Sequence, residues 1–106
     1  MSNVLIHVVL ATFHPHVSEA ERGRLQRQQA SLGEACGGED AGILHWTSAW
    51  NLDQRKNYHL VEFSVFADDD AFQRFKAHPA HRAFAEEMRG AADWVIGDVA
   101  ADLPFG

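Results

Sequence analysis

The segment Val4 to Phe13 has no polar face. Alternate side chains of a strand point to opposite sides, so Val4, Ile6, Val8 and Leu10 share one face and Leu5, His7, Val9, Ala11 and Phe13 share the other. A strand that is apolar on both sides has to be covered on both sides. At 106 residues the chain suits one domain, with a core over about residues 4–100 and a short tail over 101–106. Helices of so short a chain cover one face of a sheet only, and this limits the folds open to it.

The remaining sequence alternates between helix and strand patterns. Pro15 ends the first strand, and Ser18 and Glu21 stand at capping-box spacing, which predicts a helix from Ser18 to about Ala35, before Gly37 and Gly38. Ile43 to Trp50 reads as a second strand, Asn51 to Asn57 as a polar hairpin connection, and Tyr58 to Phe66 as a third strand. Asp68, Asp69 and Asp70 start a helix, because carboxylates there cap free N–H groups and oppose the positive end of the helix dipole. That helix should stop near Ala77, since a residue preceding proline is pushed away from helical angles. Pro79 starts a further helix, Gly90 ends it, and Trp94 to Ala100 forms the last strand.

The order βαββαβ favours an α+β fold, a four-stranded antiparallel sheet with helices on one face. Large exposed apolar faces are rare on monomers, so a second copy in a twofold arrangement is the expected cover for the other face. A homodimer through the sheet follows. The formal net charge of −6 is opposite to what nucleic acid or an anionic membrane surface attracts. No apolar run approaches the roughly 18 residues of a membrane span, and the start shows no secretory-signal pattern, so a cytoplasmic protein is expected. Cys36 has no partner for an internal disulfide and reads as an ordinary thiol at a helix end.

Seven histidines are the compositional oddity. His81, Phe84, Ala85 and Met88 fall at i, i+3, i+4 and i+7, the spacing of one buried helix face, so His81 points inward among apolar side chains. An imidazole there suits proton transfer, because it titrates near neutral pH. It equally suits plain packing, with its polar edge on a carbonyl. His7 lies on a buried strand face and is a candidate for the same cavity. Tyr58 is a candidate source of a phenolic hydroxyl. His78 is expected to fix the helix break before Pro79. His14 and His16 form an H-x-H pair in a loop, and His78 and His81 are three apart, but zinc needs three or four ligands. No metal and no cofactor are expected.

The pattern Ile6-His7-Val8-Val9-Leu10-Ala11-Thr12-Phe13, the segment Tyr58-His59-Leu60-Val61-Glu62-Phe63, Asn51, and above all His78-Pro79-Ala80-His81 resemble the stress-responsive dimeric A/B barrel (Dabb) family. The likeness runs from about Ile6 to Asp98. It implies a ferredoxin-like βαββαβ subunit whose sheet pairs with its twin in a dimeric barrel. One plant member, olivetolic acid cyclase, closes a polyketide chain by an aldol condensation without metal. Its catalytic histidine corresponds to His81 and a pocket histidine to His7. Its catalytic tyrosine corresponds to Phe75 and a pocket tyrosine to Gln29, so both phenolic hydroxyls are missing here. The expectation is a cavity near His81, with Gln29, Tyr58, Phe75, Phe84 and Met88 as binding candidates, taking a small aromatic or polyketide-like molecule. Two readings stay open. One is cofactor-independent cyclase, lyase or isomerase chemistry with His81 as general base and His7 assisting; the other is a noncatalytic, stress-associated homodimeric binding module.

Overall fold

Prolines and glycines punctuate the chain where its regular elements begin and end. The computed structural model describes residues 3–53, 55 and 58–102. In it, β1 (Val4–Phe13) is followed by α1 (Glu19–Ala30), α2 (Leu32–Ala35), a 3-10 turn over Gly38–Ala41, β2 (Ile43–Trp50), β3 (Leu60–Phe66), α3 (Asp69–Ala77), α4 (Pro79–Arg89) and β4 (Ala92–Ala101). The four strands form one antiparallel sheet in the order β2-β3-β1-β4. This is the α+β arrangement expected from the element order, and it has the ferredoxin-like form that the resemblance implies.

Capping fixes the helix starts. Ser18 Oγ accepts from the Glu21 N–H at 3.1 Å, while the Glu21 carboxylate turns to Arg24. Asp68 Oδ1 accepts from the Ala71 N–H at 2.8 Å, satisfying a donor the helix itself cannot. His78 is extended, caps α4 through Nδ1 on the Ala80 N–H at 3.0 Å, and leaves Pro79 at the first helical position.

Three boundaries differ from the sequence reading. The first helix does not run unbroken to Ala35: it stops at Ala30, where Ser31 Oγ donates to the Gln28 carbonyl and competes with the helix. The break sets Gly33 against the Trp46 ring, where an added Cβ would lie 2.7 Å from Cγ. The third strand begins at Leu60 rather than Tyr58, although the His59 N–H still donates to the Ala11 carbonyl. The last strand starts at Ala92, because the end of β1 pairs Phe13 with Ala92, and it runs through Ala101, one residue into the tail that the sequence predicts. Residues 103–106 of that tail, and residues 54, 56 and 57 of the hairpin connection, lie outside the described residues.

The core fills the space between the helices and the sheet face that carries His7. Phe66 meets Phe72 and Phe75 with ring centroids 5.1 Å apart in each pair, and Leu25, Leu60, Phe84 and Met88 close around them. Each such side chain contributes about 1.5–3 kcal/mol by leaving water. The opposite sheet face has no such cover, although Val4 and Val65 on it are buried. Ile6, Val8, Leu10, Val61 and Phe63 are only half-buried there, and Val95 and Val99 are 48% and 57% exposed.

Candidate functional site

Strand register assembles the polar end of a cavity. His7 pairs with Ser64 on β3 and with Asp98 on β4, and Glu62 pairs with Val9 one step along the same face. The alternation that turns His7 inward therefore turns Glu62 and Asp98 toward it from the neighbouring strands. His7 Nδ1 contacts Asp98 Oδ1, and Nε2 lies 3.3 Å from Glu62 Oε2. On its other side, Glu62 Oε1 accepts from Gln29 Nε2 at 3.2 Å, and Gln29 Oε1 accepts from Ser48 Oγ at 2.6 Å. Gln29 is thus locked with its amide nitrogen toward the carboxylate. Its backbone carbonyl also receives the Trp46 indole N–H at 2.9 Å.

The helices supply the other walls. The cavity measures about 290 Å³, near the lower end of the usual range for small-molecule pockets. Phe72, Phe84, Met88, Trp94 and Ile96 make it mainly apolar, and the exposed Lys76 and Ile96 stand at its opening. His81 lines it from α4, half-buried, with its ring centroid 4.5 Å from that of Phe75. His81 Nδ1 lies 3.1 Å from the Lys76 carbonyl oxygen. A carbonyl only accepts, so Nδ1 carries the proton and Nε2 keeps the free lone pair.

The pKa values of the two histidines are pushed in opposite directions. Burial disfavours a charged His7 ring, but the contacts with Glu62 and Asp98 outweigh it and raise the pKa above the ordinary histidine value. Burial lowers the His81 pKa, and the carbonyl of Lys76 and the charge of Glu62 only partly offset this. The first shift favours the protonated ring at His7 and the second favours the neutral ring at His81.

Of the residues singled out in the sequence, His7, His81, Gln29, Phe84 and Met88 line this cavity. Phe75 is buried behind His81 and is not a wall. Tyr58 also lies elsewhere: it is six residues from Ser64 along the chain, roughly 20 Å of extended backbone, and its carbonyl accepts from Asn51 Nδ2. Glu62 and Asp98 escaped the sequence reading. The available signal was an acidic residue on a strand face that also carries Leu60, Ser64 and Phe66. His14 lies 3.3 Å from Asp93, and its ring stands 5.7 Å from that of His16. Among the described residues no three His, Cys, Asp or Glu side chains gather closely enough to hold a metal ion. Cys36 is buried at the end of α2, and burial pushes its thiol pKa up, away from the reactive thiolate.

A family model for the stress responsive A/B barrel domain matches residues 5–101. The chain belongs to this family. Another protein to which this Dabb chain is similar is an uncharacterised protein of Streptomyces coelicolor, 34% identical over 93 residues that make up 87% of this chain and 94% of the other. Among solved structures, a dimeric ferredoxin-like protein of unknown function from Thermobifida fusca is similar with a TM-score of 0.81 at 17% identity, over 94% of this chain and 92% of that one. The hydroxynitrile lyase of Passiflora edulis has a TM-score of 0.81 at 16% identity over the full length of both chains. SnoaB, a cofactor-independent oxygenase of Streptomyces nogalater, has a TM-score of 0.73 at 22% identity over 98% of each. At such identities the likeness is one of fold. Among the described residues no helix is long and apolar enough to cross a membrane.

Proposed function

We propose that this Dabb domain binds a small, largely apolar organic molecule, aromatic or polyketide-like, in the cavity between His7 and His81, and that His81 acts on it as a general base without a cofactor. The supporting observation is the tautomer set by the Lys76 carbonyl, which leaves an unprotonated Nε2 on a half-buried ring in the cavity wall. A base with a lowered pKa facing a histidine with a raised one suits removing a proton next to a carbonyl whose oxygen is held at the His7 end. That chemistry covers cyclase, lyase and isomerase reactions. Similar folds that carry a hydroxynitrile lyase and a cofactor-independent oxygenase are in keeping with it.

The test is a panel of small aromatic carbonyl compounds screened by thermal shift and then by mass spectrometry for altered product. A ligand at a hundred times its Kd should stabilise the fold by about 2.7 kcal/mol. His81→Ala should abolish product formation while leaving the thermal shift largely in place; unchanged turnover removes the role from His81. The second reading, a noncatalytic binding module, is favoured by the walls themselves, since among the described residues no phenolic hydroxyl lines the cavity. It expects stabilisation with every ligand recovered unaltered, and any product counts against it.

The working unit is a homodimer formed through the uncovered sheet face. Its support is the exposure of Val95 and Val99 beside half-buried Ile6, Val8, Leu10 and Phe63, together with the dimeric description of the Thermobifida fusca protein.

A further inference from the structure

Glu62 has a burden that the proposed chemistry does not yet use. Its side chain is buried, with 4% exposure for the residue. Among the described residues its Oε2 has no hydrogen-bond partner, although His7 Nε2 lies 3.3 Å away. That separation is within ion-pair range, but the two atoms are not aligned as donor and acceptor. An ionised carboxylate so placed is costly to keep unless a cation faces it. The group that faces it and can carry that charge is the His7 ring, whose other nitrogen contacts Asp98. Gln29, fixed by Ser48, prevents Glu62 from swinging away.

We propose that Glu62 is a positioning residue for His7: the Ser48–Gln29–Glu62 relay and Asp98 together keep His7 doubly protonated, so that its Nε2–H, left unaligned with Glu62, donates a hydrogen bond to an acceptor oxygen of the bound molecule. This deepens the reading of the cavity given above and rests on it for the ligand. His7 donates a hydrogen bond and keeps its proton, and the base role is left to His81 alone. The ligand class narrows accordingly to molecules that present a carbonyl or similar acceptor to the closed end. Free carboxylates are disfavoured there, because the His7 cation is already outnumbered by two acidic groups.

The charged and titratable groups around His7 are Glu62 from β3, Asp98 from β4, Lys76 from α3 and His81 from α4, with Cys36 of α2 close enough to feel Glu62. The contribution from α1 is the uncharged Gln29. The opposed shifts of the two histidines agree with the geometry.

The experiment is an NMR titration of ring nitrogens in the ligand-free, full-length protein. The wild type should show His7 with both ring nitrogens protonated at a pH where His81 is already neutral. Glu62→Gln, which keeps shape and removes charge, should move the His7 midpoint down, and by more than it moves that of His81. A merely structural glutamate would change stability without this selective shift. A wild-type His7 ring that titrates at or below the ordinary histidine range overturns the proposal, as does an unmoved His7 midpoint in the variant. Should the variant not fold, the wild-type nitrogen shifts decide the matter by themselves. The titration needs no ligand, so its outcome is separable from that of the binding screen.

Discussion

His7 shows how a residue's role comes from what its neighbours do to it. By its sequence position it is a histidine on an apolar strand, yet Glu62 and Asp98 raise its pKa, and linkage turns that shift into a dependence of stability on pH. A group with a raised pKa contributes stability that is fully present below its unfolded value, about 6.5, and is lost as pH rises through the folded value. His81 has the opposite sign: its lowered pKa gives stability above the unfolded value that is lost as pH falls through the folded one. Denaturant melts of wild type and Glu62→Gln across pH 5.5 to 9 should therefore differ most at the acid end and converge toward the alkaline end. A constant difference would detach Glu62 from the ionisation of His7. Phe84 belongs to the same scale. It is buried between core and cavity, and Phe84→Ala should cost about 3–5 kcal/mol in denaturant unfolding.

At the scale of elements, the helix ends were the most legible features, because capping is a local matter of a few residues. The sequence predicts a cap at Asp68, and its side chain accepts from the Ala71 N–H. Asp68→Ala should cost about 1 kcal/mol, or roughly 4–8 °C in Tm for a domain of this size. The break at Ser31 was less legible, because a serine is also tolerated inside a helix and only the structure shows its hydroxyl turned onto the Gln28 carbonyl. Beyond the break, Trp46 on β2 occupies the space that a Cβ at position 33 would need. Gly33→Ala should accordingly lower stability by about 1–3 kcal/mol through overpacking, measured by the same unfolding curves, despite the better helix propensity of alanine. A stabilised variant would show that Trp46 yields without strain.

For the whole molecule, the deciding quantity is the apolar face that the helices do not reach. Val8 and Phe63 are register partners near the middle of that face. Sedimentation of the wild type at micromolar concentration should give a dimer, and Phe63→Glu should give a folded monomer, since a charge in the middle of a buried apolar interface has no partner. A wild-type protein that stays monomeric under those conditions sinks the dimer. Thermal-shift comparison of the same variant then shows whether ligand binding depends on assembly.

The order of strands and helices, the inward direction of His81 and the two apolar faces of β1 were all legible in the chain, because each follows from spacing along a helix or strand. The displacement of Tyr58 from the cavity, the packing of Phe75 behind His81 and the clamp of Glu62 and Asp98 on His7 were decided only in three dimensions. They depend on which strands become neighbours and in what register, and residues 55 and 91 positions away from His7 in the chain meet it only once the sheet has closed.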